Sequence, residues 1–153
     1  MVMSDRQKDI KAMLRLALTT AANHYQYYHK AAMGVETPKV KALLMVLADE
    51  EAELMDRIRD MMATGITEEL EELSKTYDPE DLPNEMPFDL SREERDPRIY
   101  VCNQALKYEL KGYAFFLSIA ARAKSEIISR LFEYFARRKL GQIKKIRRVC
   151  ETF

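Results

Sequence analysis

Residues 17–32 read ALTTAANHYQYYHKAA, and residues 105–120, 88 positions further on, read ALKYELKGYAFFLSIA. Ala17-Leu18 falls on Ala105-Leu106, Tyr25 on Tyr113, Tyr27-Tyr28 on Phe115-Phe116 and Ala32 on Ala120. The same offset carries Leu43-Leu44 onto Leu131-Phe132, Leu47-Ala48 onto Phe135-Ala136 and Ile58 onto Ile146, with no gap across the intervening turn. A constant offset through two apolar segments and their connection reads as two similar helix hairpins joined end to end. Only four Gly and five Pro, in a chain rich in Ala, Leu, Glu, Lys, Arg and Met, favour helix over sheet. At 153 residues the chain fits one domain with a real core.

Four long helices follow from apolar residues at helical spacing. The first runs from about Ser4 to Met33, closed by Gly34, with Ile10, Leu14, Ala17-Leu18, Ala21, Tyr25, Tyr28 and Ala32 on its stripe. The second starts after Thr37, with Pro38 in its first turn, and ends near Met62 before Gly65. Its stripe contains Val40, Leu43-Leu44, Leu47, Glu51, Leu54, Ile58 and Met61. The third runs from about Pro97 to Ala123 with Val101, Ala105, Glu109, Tyr113, Phe116 and Ala120 facing in. The fourth runs from about Ser125 to Cys150 through Ile128, Leu131-Phe132, Phe135, Lys139, Gln142, Ile146 and Val149.

The expected organisation is one all-α domain over 1–153: a first hairpin at 1–63, a crossover at 64–96 and a second hairpin at 97–153. The crossover opens with a predicted short helix (Thr67 to Lys75), then carries Pro79, Pro83 and Pro87. It is too long for a local turn and should run along the outside of the bundle. It carries twelve acids against three bases, whereas residues 122–148 carry ten bases against two acids. Opposite charge predicts that the crossover lies against the fourth helix, in pairs worth about 0–1 kcal/mol each. A free basic strip for an anionic partner or nucleic acid is the other reading, but no interleaved aromatic pattern accompanies it. The net charge is zero.

No apolar run approaches the roughly 20 residues that cross a bilayer, and the N-terminus has no signal-peptide core, so a cytoplasmic protein is expected. Cys102 and Cys150 have no metal-binding spacing and are too few for a disulfide framework. They would lie near the same end of the second hairpin, so a bridge is geometrically open. Free buried thiols are the expectation.

Each stripe would be apolar but for Glu51, Glu109, Lys139 and Gln142 near the middle of three helices. Buried charges need partners or an ion. The repeat sets Ala21 level with Glu109, Glu51 with Lys139, and Leu54 with Gln142, which brings these positions to one layer of the bundle. Two facing carboxylates repel, and an ammonium between them removes much of that cost. Charge arithmetic alone predicts a Glu51–Lys139–Glu109 bridge.

These residues resemble the rubrerythrin-like branch of the ferritin-like four-helix proteins. The likeness rests on A-L-x6-[YF]-x-[YF]-[YF] occurring twice, on L-A-x-E-E at Leu47–Glu51, and on the long crossover. It implies a fold of two pseudo-symmetric hairpins holding two iron or manganese ions that reduce peroxide or oxygen. Helices one and three would each supply a Glu, and helices two and four each an E-x-x-H. Ala21 stands at the first-helix Glu, Glu51 and Leu54 at the second-helix motif, Glu109 at the third-helix Glu, and Lys139 and Gln142 at the fourth-helix motif. Two of the six ligand positions, Glu51 and Glu109, keep their type. No C-x-x-C module accompanies them.

His24, one turn after Ala21 with Gly112 as its repeat mate, is either an additional ligand beside Glu51 and Glu109 or a hydrogen-bonded core residue. Tyr25, Tyr27, Tyr28 and Tyr113 read as packing, with hydroxyls directed at carboxylates. His29 should face outward. The leading expectation is a metal-free pseudoenzyme with no catalytic residue and no cofactor, acting as a binding or assembly protein and forming a homo-oligomer, with a dimer in view. The alternatives are a peroxide- or oxygen-reducing metalloprotein using iron or manganese, and a small-molecule binder using space opened at Ala21.

Overall fold

The computed structural model describes residues 5–66 and 81–153, without the side chains of Arg6 and Gln7. The short helix expected over Thr67–Lys75 lies outside the described residues. Among the described residues there are four helices: α1 (Asp5–Met33), α2 (Pro38–Thr64), α3 (Pro97–Arg122) and α4 (Glu126–Cys150). Among the described residues there is no strand. α1 packs along α2, and α3 along α4, giving an all-α bundle of two hairpins.

The helix ends follow local chemistry. Thr37 is extended ahead of Pro38, whose missing N–H costs nothing in a first turn. Gly65 takes φ 93°, a conformation costly for other residues, and its N–H donates to Met61 O at 2.9 Å to end α2. Asp96 caps α3 by accepting from the Arg98 N–H at 3.0 Å, with Pro97 behind it.

The stripes read from the sequence are the core. Leu14, Ala17, Tyr28, Leu44, Leu47, Ile58, Phe116, Leu131, Phe132, Phe135 and Ile146 are all but sealed from solvent. Phe116, Phe132 and Phe135 form a tilted triad with ring centroids 5.2–5.9 Å apart. Burying one such side chain stabilises the fold by about 1.5–3 kcal/mol.

The described part of the crossover lies on α4 and the start of α3. Lys144 pairs with Asp81 at 3.0 Å. Arg147 donates to Asn84 O and Met86 O, at 3.1 and 2.8 Å, and its guanidinium covers the Phe88 ring at 4.7 Å. The buried Asn103 side chain accepts from the Phe88 N–H at 2.7 Å and donates to Phe88 O at 3.0 Å. Arg138 faces the other way, donating to Glu50 O on α2 at 3.4 Å.

One expectation fails here. Cys102 and Cys150 are not free thiols but form a disulfide, with Cα atoms 6.0 Å apart. The antiparallel run of α3 and α4 brings the first turns of one beside the last turn of the other, inside the range a disulfide spans. No described helix is long and apolar enough to cross a membrane.

Candidate functional site

At the centre of the bundle, α2 contributes Glu51, α3 Glu109, α4 Lys139 and Gln142, and α1 His24. All five are buried: Glu51 and Glu109 are 0% exposed, Lys139 1%, Gln142 5% and His24 7%. Each sits on an otherwise apolar stripe, so helical periodicity alone directs it inward. Ala21 and Leu54 are also buried, at 1% and 2%.

Lys139 organises the cluster. Its ammonium donates to Glu51 Oε1 in close contact, to Glu109 Oε1 at 3.2 Å and to His24 Nδ1 at 2.6 Å. An ammonium has three protons and no acceptor, so these three partners satisfy it completely. Gln142 Nε2 donates to the same Glu51 oxygen at 3.0 Å. The Tyr28 hydroxyl donates to Glu109 Oε1 at 2.5 Å. The second oxygens, Glu51 Oε2 and Glu109 Oε2, are buried and have no hydrogen-bond partner.

Electrostatics follows from one cation serving two acids. Burial pushes the Glu109 carboxyl up to about 7, opposed by the Lys139 ammonium and reinforced by Glu51. Burial pushes His24 down to about 3, and the adjacent Lys139 charge adds to this, so the imidazole is neutral. Burial and then the Glu109 charge raise the Tyr28 phenol well above its ordinary value, so it stays a donor.

Gly112, the repeat mate of His24, has a specific task. A Cβ at position 112 would lie 2.8 Å from His24 Cε1 and 3.3 Å from Lys139 Cε. Only the missing side chain lets the ring and the lysine stem pass. Tyr108 holds the other side of the ring, edge-on at 4.7 Å, and is itself stacked on Tyr27 at 4.2 Å with planes 4° apart. The sequence reading assigned no role to Tyr108. Its only signal was its place one turn before Gly112, the repeat mate of His24. His29 is exposed and stacks on Tyr25.

His24, Glu51 and Glu109 each offer a ligand atom, and these atoms lie within 4.8 Å of one another. The structure is thus a four-helix bundle with a buried His/Glu/Glu cluster closed by a lysine. Compared with protein-family models, with curated proteins and with solved structures, the chain matches none of them.

Proposed function

We propose that the chain is a ferritin-like bundle of the rubrerythrin type in which the Lys139 ammonium stands where a metal would, and that it acts as a binding or assembly protein without catalytic chemistry. The observation that carries this reading is the three-way contact of Lys139 Nζ with Glu51, Glu109 and His24. A pair of metal ions does not fit these residues. Ala21 and Leu54 have no donor atom, Gln142 turns its amide nitrogen to Glu51, and a cation occupies the space between the carboxylates. On the surface, Met45 and Val46 leave α2 52% and 45% exposed beside a groove formed by Ala42, Leu43 and Val149 with Lys39, Lys145 and Arg148. Such a face suits assembly better than chemistry.

A second reading is favoured by the two unpartnered Oε2 atoms and the compact three-donor set. In it, one divalent ion displaces Lys139 and is held by His24, Glu51 and Glu109. Metal analysis after incubation with iron, manganese or zinc and desalting separates the two. Wild type should retain no stoichiometric metal, whereas Lys139→Ala, which vacates the cation position and keeps all three donors, should retain one equivalent. Stoichiometric metal in the wild type would establish the second reading. Sedimentation analysis of the same samples measures the expected self-association.

A further inference from the structure

We propose that the pocket opening over His24 between α1 and α3 is a binding site for a small oxyanion, namely a carboxylate or a phosphate. The pocket is a cavity of about 260 Å³ lined by Thr20, Asn23, His24, Tyr108 and Lys111. Its floor is a histidine more than nine-tenths buried, reached from outside by way of this pocket.

The Lys139 ammonium fixes the tautomer of His24. The Lys139 ammonium can only donate, so His24 Nδ1 must accept from it. A neutral imidazole that accepts at Nδ1 carries its own proton on Nε2. That N–H lies on the side of the ring away from Lys139, is not among the sealed unpaired atoms of the described residues, and so reaches solvent at the pocket, where a ligand oxygen can accept from it. The ring cannot swing away to find one elsewhere. Tyr108 stands edge-on to it, locked in its stack with Tyr27, and the backbone of Gly112 lies directly against Cε1.

The remaining lining selects the ligand class. Lys111 brings a positive charge and Asn23 an amide donor, and no acidic residue lines the pocket. Thr20 has already committed its proton to Leu16 O at 2.9 Å, so its hydroxyl is not counted as a donor. Three donors with one net positive charge match a ligand that carries acceptors and negative charge. The assignment goes beyond the functional reading above and does not depend on it. Whether an ammonium or a metal lies inside, Nδ1 is engaged inward and the Nε2 proton faces the pocket.

The test uses the full-length protein labelled with nitrogen-15, with imidazole nitrogens observed by long-range proton–nitrogen spectra at constant neutral pH. Sodium acetate and sodium phosphate are titrated separately against sodium chloride of equal ionic strength. The expected result is a saturable shift of His24 Nε2, larger than that of Nδ1, and of the Asn23 and Lys111 amides, with a dissociation constant in the millimolar range. The tighter of the two salts identifies the carboxylate or the phosphate. Lys111→Glu, at an exposed position, should weaken binding about tenfold or more, and Asn23→Leu should weaken it less. Shifts that chloride reproduces, shifts that do not saturate, or undiminished binding in Lys111→Glu would each overturn the proposal.

Discussion

Gly112 and His24 occupy equivalent positions in the two hairpins, and the ring of one fills the space that the other leaves. Ala in place of an exposed mid-helix Gly normally stabilises by about 0.8–1 kcal/mol. At position 112 the clash with a ring held by Tyr108 and Lys139 reverses the sign. Gly112→Ala should therefore destabilise by about 1–3 kcal/mol. In a His24→Ala background the same substitution should lose most of that penalty, and chemical denaturation of the four proteins closes the cycle. Lys139→Met leaves two buried acids without their cation and should cost about 3–5 kcal/mol at neutral pH, less in acid as carboxylates protonate. A neutral effect would mean that Lys139 does not compensate the acids. The pH response has two opposed parts. His24, neutral in the fold down to about 3 against an ordinary 6.5, contributes stability that is complete above 6.5 and is lost as pH falls towards 3. Glu109, raised from 4.5 to about 7, contributes stability that is complete below 4.5 and is lost as pH rises through 7. Between 4.5 and 6.5 the two slopes cancel. Urea midpoints should be flat there for this pair, Glu109→Gln should show a rise with pH, and His24→Gln a fall.

Individual helices were legible because one period decides both shape and facing. The stripe that places Leu131, Phe135 and Ile146 in the core also places Lys139 and Gln142 there, which is why four polar residues at the centre could be named from spacing. Their mutual contacts needed only the repeat register. The state of the cysteines was not legible in the same way. Register sets Cys102 and Cys150 at one end of the hairpin, but a bond depends on a few ångströms of interhelical distance set by neighbouring side chains. The ring direction of His24 was equally hidden, since it depends on an absent atom at Gly112. The disulfide closes a loop of 48 residues between α3 and α4. Constraining the unfolded chain to that extent stabilises by about 2–4 kcal/mol. Cys102→Ala with Cys150→Ala should lower the unfolding free energy by that amount without altering helix content. A thiol assay on the denatured, unreduced protein should find no free cysteine.

Across the whole molecule, the described part of the crossover is fastened to the bundle by polar contacts as well as by the buried Phe88 ring. The charge contrast between residues 64–96 and 122–148 anticipated Lys144 with Asp81, but not the twin hydrogen bonds of Asn103 to the backbone of Phe88. A lone Asn on a helix carries no sequence signal of a partner fifteen residues upstream. Asn103→Ala leaves a buried N–H and a buried C=O unpaired and should cost about 1–3 kcal/mol per orphaned group. Hydrogen exchange should show the Phe88 amide losing protection while α1 and α2 keep theirs. Removing Lys144 should do far less, because its pair is exposed and screened.

A dissociable ion obeys mass action: it leaves when its free concentration falls, and a protein that depends on it loses stability with it. The cation between Glu51 and Glu109 is tethered to the backbone by its own side chain, at an effective concentration that neither dilution nor a competing ligand can lower. The melting temperature of this bundle should accordingly be the same with and without a strong chelator. On the proposed reading, its folded population should be insulated from the supply of trace elements in its surroundings.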